Sequence, residues 1–158
     1  MKKILTKIGL TVQITIVVLG FAFIILWLTG FVTVVKGHGS SMEPTLSDGE
    51  VYLQVKTKPE NIKRGDIVGA VLEDGTRVTK RVIGLPGEEI CIGFSTIWVD
   101  GDWIEENYLE HPGWNDFGEF DTIFTLGENE YYLMGDNRKE TWCGTVSGDN
   151  IIGKVLKK

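Results

Sequence analysis

From Ile8 to Val35 the chain carries no charged residue, and beyond Lys36 its apolar positions break into short alternating runs separated by glycine-rich turns. The first pattern predicts a membrane helix. At 1.5 Å per residue these roughly 28 positions reach about 42 Å, and a bilayer core needs about 20 apolar residues, so the segment spans with tilt or frayed ends. A cleavable signal sequence is the alternative. Its apolar region is only about 7–15 residues, followed by a small-residue cleavage site, so the length here favours an uncleaved anchor. Lys2, Lys3 and Lys7 precede the run, Lys36 alone follows it closely, and no acidic residue comes before Glu43. The excess of lysines places the N-terminus in the cytoplasm and the rest of the chain outside.

The second pattern predicts strands. Val51, Leu53 and Val55 alternate with Tyr52 and Gln54. The apolar run Ile67 to Leu72 ends at Asp74-Gly75, a turn that joins it as a hairpin to the strand around Arg77 to Ile83. Ile90 and Ile92 flank Cys91, Thr96 to Val99 leads into the turn Asp100-Gly-Asp102, and Tyr131 to Met134 runs into Gly135-Asp-Asn-Arg138. Asn150 to Leu156 makes a last strand, while Asn107 to Asp121, with His111-Pro-Gly-Trp114, has no period and reads as a loop. The expected fold is mainly β: a single transmembrane helix within residues 1–35, then a compact all-β domain over residues 36–158.

One residue contradicts its strand. Val78, Lys80 and Val82 share a face of the strand, because side chains alternate. An ammonium among valines is unusual, since lysine is almost never fully buried unless paired. Burial disfavours the charged form, and an amine left neutral at physiological pH is a general base. A nucleophile for it to serve lies upstream in Ser40-Ser-Met-Glu-Pro-Thr-Leu46, where Pro44 forbids a helix interior and Asp48-Gly49 turns the chain. Taken singly, Ser41 is an ordinary turn serine and Asp136-Asn137 ordinary turn chemistry. Only their combination with Lys80 suggests a site.

Charge and cysteines narrow the classes. The net charge is −6, and removing the +3 of Lys2, Lys3 and Lys7 leaves about −9 for the outer part. That balance argues against a nucleic-acid partner, which needs a basic stripe. Cys91 and Cys143 both fall on the outer side, where a disulfide is permitted, and two cysteines with His38 and His111 at no ligand spacing give no metal site. No cofactor is expected.

The segments Ser41-Met-Glu-Pro-Thr-Leu46, Arg64-Gly-Asp-Ile-Val68, Lys80-Arg-Val-Ile-Gly-Leu-Pro-Gly87 and Gly135-Asp-Asn-Arg138 follow one another after the anchor. In that order they resemble the successive boxes of bacterial type I signal peptidases, over Ser41 to about Val155. The resemblance implies a membrane-bound serine protease with a Ser–Lys dyad on a mostly β fold. Such enzymes remove signal peptides from exported preproteins on the outer face of the membrane, at Ala-x-Ala-like sites. Ser41 is then the nucleophile and Lys80 the general base, a histidine-free variant of triad logic, with the Ser41 N–H as one oxyanion donor. The family often places a hydroxyl donor two residues before the nucleophile; here Gly39 stands there, so backbone or water substitutes. Arg81 is expected to pair with Asp136, against the alternative of a solvated strand charge. Met42, with residues of the Ile67–Leu72 run, is expected to line shallow apolar subsites. Trp103, Trp114 and Trp142 suit either the core or contact with the outer leaflet.

After Arg138 the chain departs from the family, which has Ser-x-Asp-Ser-Arg and then Gly-x-Val. Here the residues are Lys139-Glu-Thr-Trp-Cys-Gly-Thr-Val146. Ungapped, Thr141 takes the place of the serine that hydrogen-bonds the catalytic lysine; alternatively about four residues are missing and Gly144-Thr-Val146 is the later element. Ser147 or a water is the rival to Thr141 for that role. Two other functions stay open beside the general signal peptidase. One is a processing protease dedicated to a pilin, coat or conjugation protein, and the other a catalytically silent domain that binds exported segments by strand addition.

Overall fold

The computed structural model describes residues 2–93, 96–109 and 122–157, with side chains from residue 9 onward. The expected loop at Asn107 to Asp121 lies outside those residues from position 110, and His111 and Trp114 with it. The chain divides into two compact units, residues 1–33 and 34–158.

The first unit is helix α1 (Lys2–Leu28), whose stretch Gly9–Leu28 is long and apolar enough to cross a membrane. The uncharged run is therefore not one element. Gly30 takes a positive φ of 70°, its N–H donates to the Trp27 carbonyl and the Phe31 N–H to that of Leu26. This is a left-handed helix cap of the kind glycine permits. The β-branched residues after it form β1 (Val32–Lys36) instead of further helix.

The second unit is built from two antiparallel sheets. Strands β2 (Val51–Val55), β3 (Ile67–Val71), β4 (Arg77–Gly84), β9 (Glu130–Met134), β10 (Gly144–Ser147) and β11 (Ile151–Val155) join β1 in the order β1-β2-β11-β3-β4-β9-β10. Strands β5 (Glu89–Gly93), β6 (Thr96–Val99), β7 (Asp102–Trp103) and β8 (Thr122–Thr125) form the smaller sheet β7-β6-β5-β8. The β3–β4 hairpin turns at Asp74-Gly75 as the sequence predicts, with the Thr76 N–H donating to Asp74 Oδ1 at 2.8 Å.

Burial on both sides of β4 organises the core. Val68, Ala70, Val82 and Leu133 pack on one side, while Ile83, Tyr132 and Met134 pack with the inward residues Ile90, Ile92, Ile97 and Val99 of the smaller sheet. The opposite face of the smaller sheet carries Cys91 between Trp98 and Ile123, with Trp103 beyond Trp98. Trp103 and Trp142 are exposed and so are not core residues, and Cys91 and Cys143 are free thiols. In β2 the buried residues are Tyr52 and Gln54, not the valines of the alternation. Tyr52 meets the Thr79 hydroxyl at 2.7 Å, and Gln54 fills the space left by two glycines, Gly69 and Gly153.

Candidate active site

The segment Ser40 to Leu46 is pinned by two buried side chains. Met42 and Leu46 pack with Tyr52, Ile67 and Val155, and the Leu46 N–H donates to the Met42 carbonyl. Met42 is only 4% exposed. Expected from the sequence to line a subsite, it is a core side chain instead, because the tight turn directs it inward while Ser41 stays half-buried. The neighbouring residues of β3 are no more available, since Ile67, Val68 and Ala70 are all buried.

Ser41 Oγ lies 2.5 Å from Lys80 Nζ. Among the described residues this is the lysine's one hydrogen-bond partner, and no carboxylate lies within ion-pair distance of it. Lys80 is 5% exposed. Its burial lowers the amine's pKa below the ordinary lysine value, and the charge of Asp136 opposes that shift without cancelling it. The Ser41 carbonyl accepts from the Asn137 N–H at 3.1 Å, so the turn after β9 holds the serine's peptide. Among the described residues the Ser41 N–H meets no acceptor. Gly39, by contrast, spends its N–H on Asp48 Oδ1 at 2.8 Å. Ser40 donates to Glu140 Oε2 at 2.7 Å, which separates its hydroxyl from the Lys80 pairing.

On the other side of β4, Arg81 is a fully engaged cation. Its Nε and Nη2 grip Asp136 at 2.8 and 2.6 Å, and Nη1 donates to the Gly65 carbonyl at 2.8 Å. That carbonyl is presented by the turn at Arg64-Gly-Asp66, itself closed by the Lys63 N–H on Asp66. Thr45 donates to Asp136 Oδ2 at 2.5 Å, so the Ser41 segment is tied to the same carboxylate. The Arg81 guanidinium lies 3.8 Å from the centre of the Tyr108 ring, a cation–π contact.

Two residues of this cluster carry no signal in the sequence reading. Glu106 forms a buried fork with Arg138, and Tyr108 donates to Glu106 Oε1 at 2.5 Å. Burial and the Glu106 carboxylate push the Tyr108 hydroxyl well above its ordinary range, so it stays protonated as a donor. The signal that could have found them is a buried-type tyrosine and leucine, Tyr108-Leu109, following acidic residues in a stretch without period. Arg138, for its part, donates from Nε to the Gly135 carbonyl at 3.0 Å.

Thr141 is close to the site without touching the lysine. Its hydroxyl donates to the Trp142 carbonyl at 2.9 Å, so the hydrogen bond to Lys80 implied by the resemblance is not made. Thr141 instead crowds Gly135: a Cβ there would lie 2.1 Å from Thr141 Oγ1 and 2.2 Å from the Ser41 carbonyl oxygen. Ser147 is no substitute, since it caps the 3₁₀ turn Gly148–Asn150 by accepting from Asp149 N–H. Chemically, the arrangement offers a hydroxyl, a buried amine with a depressed pKa and, among the described residues, an N–H on Ser41 that meets no acceptor. Among the described residues no group of His, Cys, Asp and Glu is set to hold a metal ion.

Comparison with known proteins gives the family. The family described as signal peptidase, peptidase S26, matches residues 8–157. The chain is 36% identical over 135 residues to Signal peptidase I of Bacillus licheniformis, an alignment covering 77% of this chain and 68% of that protein. It is 29% identical over 162 residues to Signal peptidase IB of Staphylococcus aureus (strain COL), covering 89% of this chain and 85% of the relative. A crystal structure of a signal peptidase I from Enterococcus faecalis V583 superimposes with a TM-score of 0.53 at 28% identity, covering 61% of this chain and 97% of the other. The chain belongs to the signal peptidase family, peptidase S26.

Proposed function

We propose that this chain is a membrane-anchored serine endopeptidase of the signal peptidase I type, which removes signal peptides from exported preproteins with a Ser41–Lys80 dyad. The observation that carries the dyad is a buried amine 2.5 Å from a turn hydroxyl, with its pKa lowered by burial. Neutral Lys80 accepts the Ser41 proton as Oγ bonds to the scissile carbonyl carbon. The Ser41 N–H faces the oxyanion. As the C–N bond breaks, the proton passes from Lys80 to the leaving amine, and an ester-linked acyl-enzyme remains. Water then gives a proton to Lys80 while its oxygen attacks the ester, and Ser41 Oγ recovers that proton as the signal peptide leaves.

Helix α1 anchors the enzyme, with the lysine-bearing N-terminus in the cytoplasm and residues from Lys36 outside. Arg81 and Asp136 position the serine segment. Gly39 lies exposed beside Ser41, with open space where a side chain would project. That space supports its place against the extended substrate, whose Ala-x-Ala-like residues lie on alternate positions of a strand. Thr141 supports the site by packing against Gly135 beneath the serine peptide. The test is incubation of the full-length protein in lipid with several unrelated preproteins. Cleavage after small residues, lost in Ser41→Ala, is expected; cleavage that survives Ser41→Ala overturns the assignment, and cleavage of one preprotein alone redirects it to a dedicated processing enzyme.

A further inference from the structure

The turn Gly135 to Arg138 holds the Ser41 carbonyl through the Asn137 N–H, yet the turn itself is short and needs an anchor. Its anchor comes from the segment after β7. Arg138 reaches back to the Gly135 carbonyl and outward to Glu106, where both Nη atoms engage the carboxylate. Tyr108 then joins the two halves of the cluster: its hydroxyl donates to Glu106, and its ring lies under Arg81. Arg81 grips Asp136, the residue between Gly135 and Asn137. The turn is thus held at two points, Asp136 through Arg81 and Arg138 through Glu106, and Tyr108 contacts both holders.

We propose that Glu106 and Tyr108 are positioning residues for the Ser41–Lys80 dyad, acting through Arg138 and Arg81 to fix the turn on which the Ser41 peptide is held. This rests on the proposed dyad. The arrangement has an electrostatic consequence as well. Among the described residues, the charge acting on Lys80 is that of Asp136 from the turn after β9, with Arg81 on the lysine's own strand gripping that carboxylate and Glu140 reached through Ser40; β3, the facing strand, carries no charged residue from Ile67 to Val71. Asp136 is the charge that raises the Lys80 pKa, and Arg81 neutralises Asp136 only while it is held against it. Burial is what lowers the amine's pKa, and Tyr108, by supporting Arg81 against Asp136, limits the opposing pull of that carboxylate.

The experiment compares Tyr108→Phe, Tyr108→Leu and Glu106→Gln in the full chain, using a peptide with an Ala-x-Ala site and a pH profile of kcat and KM. Tyr108→Phe keeps the ring under Arg81 and loses the hydroxyl. It should lower kcat modestly and leave the rising limb of the profile where it is. Tyr108→Leu removes the ring, and should lower kcat about tenfold to a hundredfold at unchanged KM while moving the limb to higher pH. Glu106→Gln, nearly isosteric, should lower kcat without moving KM. Thermal melts confirm that each variant is folded at the assay temperature. A folded Tyr108→Leu with the wild-type limb and wild-type kcat overturns the proposal, as does a loss confined to KM. Wild-type and Ser41→Ala controls keep the two readings apart: activity that persists in Ser41→Ala sinks the dyad, whereas activity lost there but unaffected by Tyr108→Leu and Glu106→Gln sinks only the positioning role.

Discussion

Lys80 and Arg81 are consecutive on β4, both are under 10% exposed, and their surroundings are opposite. Lys80 has one neutral hydroxyl partner among the described residues, and burial leaves its amine easier to deprotonate. Arg81 has a bidentate carboxylate, a carbonyl, a hydroxyl and an aromatic face. The lesson lies in the chemistry of the two groups. An ammonium can shed its charge when desolvated, so leaving it underpaired makes a base. A guanidinium cannot, so it must be fully paired and becomes a structural pin. Strand alternation sends them to opposite sides, which lets one strand carry both an underpaired amine, the proposed base, and a fully paired guanidinium at adjacent positions.

The sharpest way to break this contrast is to remove the reactive side. Under the proposed dyad, Ser41→Ala and Lys80→Ala should each cut preprotein cleavage by at least on the order of 10⁴-fold, since nucleophile and base would act as a unit. Lys80→Met should abolish cleavage too, yet stabilise the fold at neutral pH. The sign follows from the lowered pKa. The unfolded lysine binds its proton more tightly than the folded one, so stability of the wild type rises with pH between the folded pKa and the unfolded value of about 10.4. The melting-temperature gain of Lys80→Met should therefore be largest at low and neutral pH and shrink as pH approaches that unfolded value. A constant gain across the range would mean that Lys80 pays no desolvation cost. Activity should rise with pH through a limb below the ordinary lysine range.

The inert side should respond in the reverse order, with stability falling first. Asp136→Asn leaves Arg81 buried against a neutral amide and should cost about 3–5 kcal/mol in denaturant titration, as for other broken buried pairs. A cost under about 1 kcal/mol, the value of an exposed pair, would show that Arg81 finds solvent and that the contrast with Lys80 is weaker than the geometry says.

Gly135→Ala sits between the two sides. The added methyl would fall 2.2 Å from the Ser41 carbonyl oxygen, a backbone atom that cannot rotate away. Overpacking of this kind typically costs about 1–3 kcal/mol, and here the strain is delivered to the Ser41 peptide. Turnover should fall more than stability does. Equal losses in both would mean that the turn shifts as a body and carries Ser41 with it.

Much of this was legible in the chain because strand periodicity is local. The Lys80 anomaly, the Asp74-Gly75 hairpin and the Ser41 turn follow from alternation and turn chemistry, and the resemblance adds the pairing of Arg81 with Asp136. What escaped depends on contacts between distant segments. Met42 looks like a surface subsite residue until Tyr52, Ile67 and Val155 close over it. Glu106 and Tyr108 are unremarkable until Arg138 and Arg81 reach them from 32 and 27 positions away in the numbering. Strand β1 was hidden because an apolar stretch with no charge reads as helix until a glycine cap ends it.

Thr141 gives the smallest expected effect and the finest test. If its hydroxyl served Lys80, removing it would leave a buried amine short of a partner, a cost of roughly 1–3 kcal/mol that turnover would feel. The hydroxyl instead donates to the Trp142 carbonyl, an exposed bond in the loop after Arg138 that water can replace. Thr141→Val keeps the shape that packs against Gly135 and loses only that bond. It should therefore change stability by less than about 1 kcal/mol, leave kcat within about twofold to threefold of wild type, and leave the rising limb of the pH profile in place. Thr141→Ser keeps the hydroxyl but drops the methyl, and should match wild type in turnover. A sharp loss of kcat in the valine variant with the limb displaced, restored by serine, would show that the hydroxyl turns from Trp142 to Lys80 once substrate is seated. Lys80 would then have a second partner during turnover, and the difference from Arg81 would be one of degree.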